Sequence, residues 1–315
     1  MKIEHVKFET FDDFYKEISF NGKYYNELKL FIFRGEDSKK YKLLPSALRE
    51  NNRDSLFLLH NVSIDQRNWE YWQQFAEYSN LREFYKIANN NGLKIPNIDY
   101  FNEDYINKIS ISFAFDNVVK WIPKELAEIA ALAQHYGTPT RLLDWTFDIN
   151  TAIYFASKGA CKKKFNNSTY DSNDSIVIWA LNSDYIQFLY NTENQIPIKF
   201  VVPAYFNNPN INAQKGVLSY LECNRENTFS TNNTNRTPLD VILEDYCDRF
   251  QNVDQNITLL YKFELPISEC LSAFKAINDL GYTAAKLFPG YNGVSETIND
   301  LVIMSKLQEN NNSNI

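Results

Sequence analysis

The sequence predicts an α+β fold, with mixed small β-sheets and a large helical insertion, and three observations carry that expectation. Residues 28–33, 175–181, 198–202, 217–221 and 257–263 are short runs of apolar, β-branched and aromatic residues, giving at least five strands. Residues from about 54 to 120 read mostly as helices, which makes them the insertion. No internal repeat and no linker-like stretch interrupts the chain, so residues 1–305 are expected to form one domain and 306–315 an Asn-rich flexible tail. With 315 residues, 44% of them hydrophobic and 15% aromatic, the chain can bury a sizeable core.

Taken in order, residues 1–10 alternate charged and apolar side chains and lack the continuous apolar stretch of a signal peptide. The strand at 28–33 delivers Arg34 and Gly35 at its end, where side chains commonly face a cleft. In the insertion, Trp69, Trp72, Phe75, Phe84 and Tyr85 supply apolar helix faces, and residues 89–92 mark a break. Pro123 suits the first turn of a helix whose face of Leu126, Ile129, Ala130 and Ala133 runs to a stop at Gly137. Thr138-Pro139 forces extended geometry, and residues 150–158 return to helix, so the polar block 134–146 reads as a connector between two helices. Helices are also expected over 238–250, capped by Thr237, and 267–280, stopped by Gly281. The Asn-rich stretches 166–173, 207–212, 224–235 and 308–314 read as loops or a frayed end.

Charge and cysteines narrow the function classes. A net charge of −7 argues against broad neutralisation of duplex phosphates, which wants a basic face. The four cysteines, Cys161, Cys223, Cys247 and Cys270, form no CxxC pair and signal neither a zinc site nor a disulfide framework. No apolar run approaches the roughly 18 residues that would span a bilayer. A reduced, soluble, cytoplasmic protein without a bound metal is the expectation. No P-loop, GxGxxG or HExxH motif is present. The acidic pairs Asp12-Asp13 and Glu244-Asp245 read as solvated faces, which disfavours a metal-dependent nuclease.

Only nine glycines occur, and three of them, Gly35, Gly137 and Gly216, sit in polar-aromatic clusters that are candidates for a site. Arg34 can present its planar guanidinium to a phosphate or carboxylate of a ligand, or form a buried ion pair with Asp144 or Glu36. His135 can act as a general acid or base, or cap helix carbonyls. Arg141 and Asp144 can form a structural salt bridge, and Trp145 can stack on a flat ring or fill the core.

Phe33-Arg34-Gly35-Glu36, Leu44-Pro45-Ser46, the block from Gln134 to Thr146 with Ala152 to Ala156, Gln214 to Leu218, and Leu280-Gly281 with Leu287 to Gly290 together resemble the bacterial FRG domain, named for its Phe-Arg-Gly tripeptide. A second resemblance is to mono-ADP-ribosyltransferases of the arginine-serine-glutamate class. Their order of aromatic-Arg-Gly, Ser-Thr-Ser before an Ala-x-x-Phe-Ala helix, and a glutamate is followed in outline by Phe33-Arg34-Gly35, then Asp144-Trp145-Thr146 before Ala152 to Ala156, then Gln214. That likeness implies an ADP-ribosyltransferase-like core acting on NAD as substrate. Gln214, His135 and Asp144 would serve the chemistry, while Arg34, Gly35, Tyr136, Arg141, Trp145 and Thr146 would bind the nucleotide. Gln214 stands where those transferases have their glutamate and carries no charge to stabilise an oxocarbenium-like transition state. The resemblances imply a toxin or antiphage effector with an unnamed macromolecular acceptor. A nucleotide-sensing module without turnover is the alternative, and a nuclease a third.

Overall fold

The computed structural model describes residues 1–66, 69–103, 120–166, 171–192, 196–205, 208–224, 234–250 and 256–312. Nine strands lie among them: β1 (Lys2–Lys7), β2 (Phe31–Glu36), β3 (Lys120–Trp121), β4 (Leu143–Thr146), β5 (Ser175–Asn182), β6 (Ile198–Val201), β7 (Gly216–Leu221), β8 (Cys223–Asn224) and β9 (Thr258–Pro266). Seven of these form one mixed sheet in the order β1-β9-β5-β2-β4-β7-β6, while β3 and β8 make a separate two-stranded ladder. Only the β1–β9 pair is parallel. The fold is α+β, as the sequence predicts.

Alternation along the strands sends successive side chains to opposite faces. Phe31 and Phe33 of β2, Ile176 and Ile178 of β5, and Tyr261 and Phe263 of β9 enter one core. Ile32, Val177, Trp179, Leu181 and Leu260 enter the other. Both faces are buried, which is why these strands read as nearly continuous apolar runs. The first core is closed by α1 (Phe11–Ile18), α6 (Ile149–Phe165), α10 (Cys270–Asp279) and α12 (Tyr291–Asn312), with the short α11 (Ala284–Leu287) beside them. On the opposite face lie α7 (Ser183–Tyr190) and α9 (Leu239–Arg249).

A third core combines the segment read as an insertion with the helix that follows it. Helices α2 (Glu50–Leu59), α3 (Glu70–Asn90) and α5 (Lys124–His135), with the single turn α4 (Asp99–Glu103), gather around Phe57, Tyr78, Phe101, Trp121 and Ile129. This core meets the sheet at Leu218 and Tyr220 of β7, whose neighbours Val217 and Ser219 face the other way. Two helical cores therefore sit on one face of the sheet, and the boundary between them runs over β2, β4 and β7. Part of the predicted insertion, 104–119, lies outside the described residues, as do 167–170 of the loop predicted at 166–173 and 225–233 of that predicted at 224–235.

Several expectations are corrected. β2 starts at Phe31 and runs through Arg34 and Gly35 to Glu36, so the tripeptide lies inside a strand; Leu28 lies in a 3-10 turn, Glu27–Leu30, that precedes it. The block 134–146 is not merely a connector, because its last four residues are β4, a central strand. The N-terminal residues contribute β1 at the sheet edge. Thr237 does not cap α9, which starts after Pro238 with no side-chain cap. Residues 267–269 form a 3-10 turn ahead of α10. Of the Asn-rich stretches, 209–213 is helical (α8, Pro209–Ala213), and α12 carries the chain as helix to Asn312 where a flexible tail is expected.

Candidate functional site

Gly137 fixes how the polar block enters the site. It takes φ +88° just past the end of α5, a left-handed conformation that glycine adopts at no steric cost. Its N–H donates to the Gln134 carbonyl at 2.9 Å, and Thr138 N–H donates to that of Ala133 at 3.0 Å. The chain reverses there and is held by Thr140, whose carbonyl accepts from Ala47 N–H at 2.9 Å and from Ser46 Oγ at 3.1 Å. This pairing gives the separated Leu44-Pro45-Ser46 motif its physical reason for accompanying the block. Thr140 Oγ1 also donates to Gln134 Oε1.

Beyond Thr140 the chain forms β4, between β2 and β7. β4 pairs with β7 along its whole length but with β2 only through Phe33 and Thr146. The two central strands separate from that point, and the Arg34 guanidinium fills the opening. Arg34 Nε donates to Glu36 Oε1 at 2.7 Å and Nη1 to the Asp144 carbonyl at 2.9 Å, while the Asp144 carboxylate lies 3.8 Å from Nη1. No described residue accepts from Nη2. Burial acts against the charge, but Glu36 and Asp144 outweigh it and hold the guanidinium pKa above its ordinary value. Gly35 is required because a Cβ there would lie 1.9 Å from the Ala152 carbonyl oxygen of α6. Its role is the close seating of helix on strand.

A cleft of about 380 Å³ opens at this place, on the boundary between the two helical cores. Arg34, Gly35, His135, Asp144, Thr146 and Gln214 all line it. Asp144 has 65% of its side chain exposed. Thr146 Oγ1 donates to the Gln214 carbonyl at 2.6 Å and accepts from Asp148 N–H at 3.0 Å, bracing the wall. Gln214 Nε2 donates to the Leu287 carbonyl at 3.1 Å, which fixes the amide plane. His135 is half-buried, and that burial lowers its pKa below the ordinary imidazole value, with the Asp144 carboxylate partly opposing the shift. A permanent cation, an exposed carboxylate, a neutral imidazole and a fixed amide thus face one volume.

Three of the sequence-derived site residues have other surroundings. Arg141 is 3% exposed and forms no pair with Asp144; its guanidinium meets Glu70 Oε1 at 2.6 Å and Glu77 Oε2 at 3.0 Å on α3. Trp145 touches the cleft lining, but its ring is buried in the opposite core, with Nε1 donating to Ser219 Oγ at 2.8 Å, so it is no stacking surface. Tyr136 is exposed and lines a separate apolar chamber with Phe84, Ile87 and Leu132. Phe155 and Phe288, edge to face at 6.0 Å, line the cleft together with the buried Phe33. Phe155 sits in the Ala152 to Ala156 helix beside the fully buried Tyr154, and only the helical phase of that segment separates the two. Among the described residues no group of three or more His, Cys, Asp or Glu converges to hold a metal ion.

Among the described residues no helix is long and apolar enough to cross a membrane. No curated protein and no solved structure matches the chain. A family model of the FRG domain matches residues 29–165, the segment that carries Arg34, His135, Asp144 and Phe155, so the chain contains an FRG domain there.

Proposed function

We propose that the cleft binds NAD and cleaves its nicotinamide–ribose bond, passing the ADP-ribosyl group to an acceptor or to water. The observation that carries this reading is the exposed Asp144 carboxylate standing 3.8 Å from the Arg34 guanidinium at the split between β2 and β4. Arg34 has Nε and Nη1 occupied, so its Nη2 edge is the part offered to a phosphate. Asp144 supplies the negative charge that stabilises an oxocarbenium-like ribose, in place of the glutamate that Gln214 does not provide. The fixed Gln214 amide hydrogen-bonds a ribose hydroxyl. As the C–N bond breaks, its electron pair leaves with nicotinamide; the attacking hydroxyl or water gives its proton to His135, which burial keeps neutral and able to accept it. The biological setting proposed is a toxin or antiphage effector.

The test is nicotinamide release from NAD by the purified protein, with lysate supplying acceptors, beside binding of NAD by calorimetry. Asp144→Asn removes the charge from an exposed side chain and should lower turnover by about a hundredfold, on the scale of losing one transition-state electrostatic contact, with binding little changed. A parent protein that neither binds NAD nor releases nicotinamide overturns the proposal. Binding without release favours the second reading, a nucleotide sensor, whose support is the uncharged Gln214 with its Nε2 committed to Leu287.

A further inference from the structure

The cleft does not end at its aromatic rings. Phe155 and Phe288 also line a second chamber, of about 580 Å³, bounded by Lys158, Lys162, Asn210, Asn292 and Glu296. Small-molecule sites run from about 300 to 1,000 Å³, so either space alone suits a mononucleotide and the two joined approach the upper end of that range. Both open along one helix: α6 offers Ala152 to the cleft, Phe155 to the neck and Lys158 and Lys162 to the chamber. At 1.5 Å per residue the helix advances about 15 Å from Ala152 to Lys162, a distance that an extended dinucleotide covers and a mononucleotide does not.

The two lysines of the chamber are not equivalent. Lys158 Nζ is neutralised between Glu296 Oε1 and Asp300 Oδ1, each at 2.9 Å, and donates to Tyr154 OH at 3.0 Å. Lys162, one turn further on, is exposed and has no salt-bridge partner within 4 Å among the described residues; at longer range it joins Lys158 in holding the Glu296 pKa down. Its ammonium is the charge the chamber has to offer an anion, and the Asn210 and Asn292 amides and the Phe288 ring suit a ribose and a base.

Resting on the NAD reading of the cleft, we propose that cleft and chamber are two halves of one site. The nicotinamide half of the dinucleotide occupies the cleft, the adenylate half passes Phe155 and Phe288 into the chamber, and Lys162 meets its phosphate. The experiment is calorimetric titration of the full chain with NAD and with nicotinamide mononucleotide, for the parent and for Lys162→Glu, a substitution of an exposed side chain. Reversing this charge beside a phosphate should weaken NAD about tenfold and leave the mononucleotide within about twofold. If the parent binds both ligands and Lys162→Glu changes neither, the chamber assignment fails while the reading of the cleft stands. Equal weakening of both ligands also overturns the assignment, since Lys162 then acts through the general field. A parent that binds neither ligand overturns cleft and chamber together.

Discussion

His135 has its titration set by position. It closes α5 as the last helical residue, faces the cleft with Asp144, and is half-buried, which disfavours the imidazolium more than the neighbouring carboxylate favours it. Its folded pKa is therefore below the ordinary value of about 6.5. As the pH falls below that value the unfolded chain takes up a proton that the folded chain resists, so stability is full above it and declines down to the folded pKa. His60, lowered by burial against the opposing pull of Glu83, acts in the same direction. In a proton NMR titration the His135 midpoint should lie below that of a model imidazole, and Asp144→Asn should move it lower still, because the one raising influence is gone. A midpoint that rises in Asp144→Asn contradicts the geometry. At this scale the sequence was informative about residue type more than orientation. It left Arg34 between ligand anchor and ion pair, and the side chain is both paired to Glu36 and exposed to the cleft. It offered Trp145 for stacking because an indole is flat, whereas strand alternation beside Leu143 turns that ring into the core.

Helix α3 is tied to the domain by charge as well as packing. Arg141, on the segment leading into β4, enters a buried network in which Glu77 also accepts from Gln73 Nε2 at 2.7 Å and Trp121 Nε1 at 2.6 Å, and Glu70 accepts from Gln74 Nε2 at 2.8 Å. Burial opposes the guanidinium charge, but Glu70 and Glu77 outweigh it and keep the pKa well above its ordinary value. Removing one partner of such a cluster leaves uncompensated charge in a dry interior and costs about 3–5 kcal/mol. Arg141→Leu should show that loss in a denaturant midpoint, and Arg141→Lys should recover little of it, because a point charge cannot replace a planar fork that meets two carboxylates. An Arg141→Leu protein as stable as the parent would remove the network from the account of α3. The sequence exposed the helices readily, through their apolar faces and the glycine stop at Gly137. It concealed this tie because Arg141 and Glu77 are 64 positions apart, whereas Asp144 is close enough to suggest a local pair. β4 was hidden for a related reason: four residues are too few for a periodic signal, and its membership of the sheet comes from β7, far along the chain.

The whole molecule places the cleft where one sheet face is shared by two helical cores, one built on α6, α10 and α12 and the other on α3 and α5. The sheet order was not legible because its edge pair joins β1 to β9, the first and last strands, and no local pattern encodes a contact of that range. The boundary between the cores follows from that order and was hidden with it. A ligand seated there touches α5 and Gln134 on one side and α6 and Phe288 on the other, so binding stabilises each core against opening away from its neighbour. At a free concentration of 100 times Kd, any ligand bound only by the native state adds about 2.7 kcal/mol of stability. Position is what distinguishes this site. Saturating NAD should slow hydrogen exchange of the amides at residues 134–140 and 286–290, the segments that carry the cleft-lining Gln134, His135 and Phe288, and leave α9 on the opposite face unchanged. Fully hydrogen-bonded strands such as β5 should respond little, because their exchange already requires larger openings. A rise in melting temperature with protection confined to α9, or spread evenly over every helix, would place the ligand somewhere other than the boundary between the cores.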